Sequence, residues 1–125
     1  VDAVEILNGI RSLGFELAMD DFGTGQSSLS CLRNFPIQTL KIDRAFLLNM
    51  TQQREFSAVM HAIITLAHNL NLDVVAEGLE TDAQLAQLQA MDCRSAQGFL
   101  FSHPVEAAAA ERMLDGGLPI RQRAA

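Results

Sequence analysis

Seven polar residues of this chain have the types and places to act together: Asp20, Asp21, Lys41, Asp43, Glu77, Glu80 and Gln97. Each stands where a short apolar run ends. Three or four carboxylates gathered on one rim offer hard oxygen ligands for one or two divalent cations. A lysine among them would offset the charge of an anionic substrate, so the set suits phosphoryl-transfer chemistry. Lys41 and Asp43, two residues apart, share a strand face, whereas adjacent Asp20 and Asp21 would point to opposite sides of a continuous strand. For both to serve one site, a turn should begin at Asp20.

Each residue also has a purely structural reading. An Asp-Asp pair before a glycine-rich loop can be turn chemistry, and a lysine at a strand end can be a solvated side chain. Glu80 could favour the positive end of a following helix, and Gln97 could satisfy backbone groups. Glu77 is more informative, because an acid after Val74, Val75 and Ala76 must be paired, protonated or metal-bound if that strand is buried. His61 and His68 lie on one helical pattern without a third ligand and read as helix surface, while His103 before Pro104 reads as a capping position. Gly23-Thr24-Gly25 lacks the Lys-Ser/Thr ending of a phosphate loop. Met50, Met60, Met91 and Met113 read as core filling.

The elements that must position these groups follow from periodicity. Ala3, Ile6, Leu7, Ile10 and Leu13 recur at helical spacing, with Gly14 placed to end the helix. A strand is predicted over residues 15–19, and then a loop. Ser27 and Ser28 would cap a short helix carrying Leu29 and Leu32. A second strand is predicted over 37–43. Phe56, Val59, Met60, Ile63, Ala67 and Leu70 form a helical stripe over 55–70, and a buried strand follows at 72–76. Thr81 with Gln84 forms a capping box for a helix bearing Leu85, Leu88 and Met91. A fourth strand is expected over 96–101, then a last helix with Pro104 in its first turn, running through Leu114 and stopped by Gly116 and Gly117. Residues 118–125 read as a flexible tail.

Strand and helix thus alternate as in a parallel sheet with helices packed outside it. Two architectures survive: a flavodoxin-like open sheet, and half of a (β/α)8 barrel, since a whole barrel needs roughly 250 residues. Both place their chemistry at the C-terminal ends of the strands, where the seven residues fall.

Composition narrows the partners. With 9 Lys plus Arg against 15 Asp plus Glu in 125 residues, the net charge is −6, which disfavours a nucleic-acid polymer as partner. At 49% hydrophobic and 19% charged the chain has the material for a core and is not a disordered segment. Cys31 and Cys93 have neither metal nor disulfide spacing, which fits a reducing cytoplasm. No apolar run reaches the ~18 residues of a membrane span, so no membrane contact is expected. Val1 opens directly into an amphipathic pattern, which reads as the interior of a longer product.

Four segments in order, DDFGTGQSSL (20–29), LKIDRAF (40–46), VVAEGLET (74–81) and AQGFLFSHP (96–104), resemble the C-terminal half of the EAL domain of bacterial cyclic di-GMP phosphodiesterases. The likeness spans residues 1–117. It implies an α/β fold, the C-terminal half of a TIM-like (β/α)8 barrel with about four parallel strands alternating with helices. It further implies Mg2+ or Mn2+ on Asp20, Asp21 and Glu77, with Lys41 near the attacking water and phosphate and Glu77 binding metal or activating water. Gln97, Glu80 and Asp43 would support substrate or site, and the loop Phe22, Gly23, Thr24, Gly25 would link the metal site to dimerisation. The implied reaction is hydrolysis of cyclic di-GMP to linear pGpG in the bacterial cytoplasm. The Glu-Ala-Leu motif is absent, as are the asparagine and further glutamate of the first half of the barrel. The chain should therefore need that missing N-terminal half and be inactive alone. The alternative is a non-catalytic cyclic di-GMP receptor or regulatory interaction module. Gln26 stands where the family commonly has tyrosine.

Overall fold

The carboxylate of Asp2 accepts the N–H of Val4 and caps α1 (Ala3–Ser12), and Gly14, at φ +93°, supplies the left-handed exit that ends it. A computed structural model of the chain describes residues 2–22 and 29–117. After α1 come β1 (Ala18–Phe22), α2 (Leu29–Asn34), β2 (Thr39–Ile42), α3 (Arg44–Met50), α4 (Arg54–Asn69), β3 (Asp73–Glu77), α5 (Asp82–Ala90), β4 (Ser95–Gln97) and α6 (Ala107–Gly116). The four strands form one parallel sheet in the order β1-β2-β3-β4, each joined to the next through helix. This sequential order is that of a barrel wall.

Burial alternates along β2 and β3 and so separates two faces. Leu40, Ile42, Val74 and Ala76 point to the helices and are buried, together with Leu47, Met50, Met60, Ile64, Ala67, Leu79 and Leu88. Each large apolar side chain in this layer contributes roughly 1.5–3 kcal/mol relative to exposure. Phe46 of α3 meets Phe56 of α4 edge-on at 5.9 Å, which fixes the two consecutive helices against each other. The opposite face carries Thr39, Lys41, Val75 and Glu77, all half-buried. In the four-strand order β1 and β4 are the edges.

Several boundaries differ from the sequence expectation. β1 begins at Ala18 and runs through both aspartates to Phe22, because Leu17 is occupied by loop bonds: its N–H donates to the Gln38 side chain at 2.6 Å and its carbonyl accepts from Gln38 and Thr39. α3 was not predicted at all. Asp43 accepts the N–H of Ala45 at 2.8 Å and starts this helix directly after β2. On α4 the buried face is Met60, Ile64 and Ala67, while Val59 and Leu70 of the predicted stripe are exposed. β4 ends at Gln97, since the 98–101 segment folds into a turn closed by the Phe101 N–H donating to the Gly98 carbonyl. α6 starts at Ala107 with Glu106 as N-cap; Pro104 precedes the helix, and His103 stacks on Phe99 at 4.0 Å instead of capping. Ser27, Ser28 and the 118–125 tail lie outside the described residues.

Candidate metal centre

The register of the sheet brings the two aspartates together. Met19 pairs with Leu40 and Phe22 with Ile42, so Asp20 and Asp21 together oppose the single residue Lys41. Two residues facing one is a β-bulge. Asp21 sits at φ +53°, in the left-handed region that aspartate tolerates better than most residues. The expected turn at Asp20 is thus a bulge inside the strand. It removes the alternation that would have sent the two carboxylates to opposite faces.

Lys41 and Glu77 occupy the same open face, Glu77 two positions beyond the Val75 that pairs with Lys41. The Lys41 ammonium lies 2.6 Å from Glu77 Oε1 and 3.9 Å from Asp20 Oδ2. Its hydrogen bond to Glu77, reinforced by the negative charges of Glu77, Asp20 and Asp21 and opposed by partial desolvation, holds its pKa above the usual 10.5. Glu77 is the most sheltered of the group, its side chain 18% exposed against 58% for Asp20.

One oxygen from each of Asp20, Asp21 and Glu77 lies within 4.8 Å of the other two. Oxygens that share one cation at about 2.0–2.6 Å stand no farther apart than about twice that distance, so the three lie close enough for small side-chain adjustments to bring them onto a single ion. An all-oxygen, acidic donor set selects hard divalent cations of the Mg2+, Mn2+ or Ca2+ kind over softer metals. Neither His61 nor His68 belongs to this cluster, and His68 lines a cavity with Asp73 and Arg94 at the other end of the strands.

The remaining candidates are placed around this cluster in different ways. Asp43 turns to the N-terminus of α3 as its cap. Glu80 pairs with Arg44 at 2.5 Å. Gln97 is the cross-strand partner of Glu77 and, with Arg44, Gly78, Glu80, Gly98 and Phe99, lines a cavity of about 150 Å³ beside the centre. Phe22 is buried in the core at the end of β1; Gly23, Thr24 and Gly25 lie outside the described residues.

The turn after Glu77 is built by close approach. Gly78, at φ +76°, lies over the Arg44 side chain where a Cβ would collide with its aliphatic carbons, and Gly98 lies against the Leu79 backbone. The Leu79 N–H donates to the Gln97 carbonyl and its carbonyl accepts from Leu100, both at 3.0 Å. Arg44 was not identified from sequence, since nothing in its spacing marks a residue whose stem supports a turn contributed by the next strand.

Comparison with known proteins gives the following. The family model described as "EAL domain" matches residues 1–104. The cyclic di-GMP phosphodiesterase NbdA of Pseudomonas aeruginosa is 43% identical over 123 residues, covering 94% of this chain and 16% of that protein. The crystal structure of the EAL domain of Mycobacterium smegmatis DcpA superposes with a TM-score of 0.86 at 38% identity, over 94% of this chain and 55% of that one. A manganese/cyclic di-GMP complex of Klebsiella pneumoniae BlrP1 superposes with a TM-score of 0.75 at 36% identity, over 80% of this chain and 26% of that one. The chain thus spans a small part of the curated relative's length and about half of a solved domain.

Proposed function

The chain belongs to the EAL domain family, and on that footing we propose that it supplies the metal-side half of a site hydrolysing cyclic di-GMP to linear pGpG. The observation that carries this reading is the meeting of Asp20, Asp21 and Glu77 within reach of one cation, with the Lys41 ammonium among them. Asp20, Asp21 and Glu77 would hold Mg2+ or Mn2+, which when bound lowers the pKa of a water and offsets phosphate charge. The manganese and cyclic di-GMP in the BlrP1 structure support this assignment without choosing between the two metals.

The chain's own residues then have distinct tasks. The Lys41 ammonium neutralises a non-bridging phosphate oxygen as negative charge builds there. Glu77, which accepts the Lys41 ammonium hydrogen bond, would hold the metal or take a proton from the attacking water. Water oxygen bonds to phosphorus, the bond from phosphorus to one ribose 3′ oxygen breaks, and that oxygen leaves with a proton, giving a linear product with a 5′ phosphate. Gln97 presents its amide to the substrate from the neighbouring strand, while Glu80 and Asp43 hold the turn and helix beside the centre.

The open sheet face and the two edge strands call for a second set of strands. We assign that role to the N-terminal half of the barrel, bearing the Glu-Ala-Leu motif and the other ligands, in a bacterial cytoplasmic protein. The 22–25 loop is proposed to couple the centre to a second copy. No described helix is long and apolar enough to cross a membrane.

The test is chromatographic conversion of cyclic di-GMP to pGpG with Mn2+. Expected is no product from the chain alone, product when the N-terminal half is supplied, and loss of product on Asp20→Asn. Product that survives Asp20→Asn, or none from the completed barrel, would overturn the reading.

A further inference from the structure

Gln84 is the buried polar side chain among the described residues, 4% exposed, and each of its polar atoms has a partner. Its Oε1 accepts the N–H of Glu80 at 2.9 Å and that of Thr81 at 3.1 Å. Its Nε2 donates to the Leu47 carbonyl of α3 at 3.3 Å. A capping box requires only the bond to the N-cap N–H. The bonds to Glu80 and Leu47 are additional; the second spans 37 residues of sequence, and together they tie the 78–81 turn to α3.

Those segments are the ones that carry the Lys41–Glu77 contact. α3 follows β2 directly, with Asp43 between them, and β2 bears Lys41. The 78–81 turn follows β3 directly, and β3 ends on Glu77. Arg44, first residue of α3, reaches the same turn through its pair with Glu80 and its stem under Gly78, but that pair is largely exposed and worth little. The buried bond from Gln84 is therefore the firmer tie, since an unpaired buried carbonyl is costly in a way a solvated one is not.

We propose that Gln84 is a positioning residue for the metal centre: by bonding Leu47 and Glu80 at once, it fixes the β3 turn against α3 and so holds the Glu77 carboxylate within reach of those of Asp20 and Asp21. This rests on the reading of the centre given above. It goes beyond helix capping, and the two roles make different predictions.

The discriminating substitution is Gln84→Glu. Glutamate serves a capping box as well as glutamine, keeping an acceptor for Glu80 and Thr81, but when ionised it has no proton for the Leu47 carbonyl. Mn2+ binding is read by electron paramagnetic resonance in the barrel completed with its N-terminal half, and the separation of the Glu77 carboxylate from those of Asp20 and Asp21 by crystallography. Expected is a helical spectrum like that of the parent, Mn2+ affinity lowered about tenfold, and the Glu77 carboxylate moved beyond 4.8 Å from those of Asp20 and Asp21. Gln84→Met, which brings no charge, should weaken Mn2+ at least as much and covers the case in which the glutamate variant does not fold. Parent-like Mn2+ affinity in a folded variant would leave Gln84 a cap and overturn the proposal. Should the parent itself bind no Mn2+, the reading of the centre fails separately. The crystallographic separation in the variant then decides alone: lengthened supports the positioning role, and unchanged refutes it.

Discussion

Removing the Lys41 charge should tighten metal binding and weaken hydrolysis at once. The ammonium lies 2.6 Å from Glu77 Oε1 and 3.9 Å from Asp20 Oδ2, so it and a divalent cation compete for the same two carboxylates. Unit charges about 4 Å apart interact by about 1 kcal/mol in water and about 4 kcal/mol at the effective dielectric of a protein surface. With Asp20 58% exposed the wet end of that range applies, and doubling for a divalent ion gives about 2 kcal/mol of repulsion relieved in Lys41→Met. That is about 30-fold in the Mn2+ dissociation constant. Lys41→Arg, which keeps the charge, should leave the affinity near the parent value. In the completed barrel, turnover of cyclic di-GMP by Lys41→Met should fall, because the phosphate loses its neutralising ammonium. Titration with Mn2+ followed by electron paramagnetic resonance reads the first quantity and chromatography the second. An affinity that stays level or weakens in Lys41→Met would refute the placement of the lysine among the metal ligands.

Three further outcomes follow from the surrounding structure. Gly98→Ala forces a Cβ into the Leu79 backbone, whose N–H and carbonyl are both hydrogen-bonded. Overpacking and two weakened bonds together should cost about 2–5 kcal/mol in urea unfolding. Thr81→Ala removes the side-chain acceptor for the Gln84 N–H and should cost about 1 kcal/mol in the same assay. Burial holds the Cys93 thiol above its usual 9.0. A raised folded value favours the neutral thiol, so this contribution to stability is full below about pH 9 and is lost as pH rises through the raised value. Alkylation by iodoacetamide near pH 9 should accordingly be slower in the folded chain than in urea.

What could be read from sequence was the alternation of elements and the rim on which the acids gather, because both depend on local pattern. The capping box of Thr81 and Gln84 is present as expected, and Asp20, Asp21, Lys41 and Glu77 do meet. What could not be read depends on pairing. The bulge exists only in the register between β1 and β2, so the sequence suggested a turn at Asp20 where the strand continues through Asp21. Asp43 two residues from Lys41 looked like a second group on the same face, and this obscured its use as the cap of α3, a helix of 7 residues too short to show a stripe. Phe99, Leu100 and Phe101 extended the apolar run of β4 on paper; the close contact of Gly98 with Leu79 turns the chain there instead. Arg44 and the second partner of Gln84 are tertiary relations with no local signature.

The most direct measurement of the central claim is anomalous diffraction from crystals of the chain, completed by its N-terminal half, grown with Mn2+. The expected result is a manganese peak within about 2.6 Å of oxygens from Asp20, Asp21 and Glu77, lost in Asp20→Asn. A peak held by other residues, or none at that rim, would contradict the account.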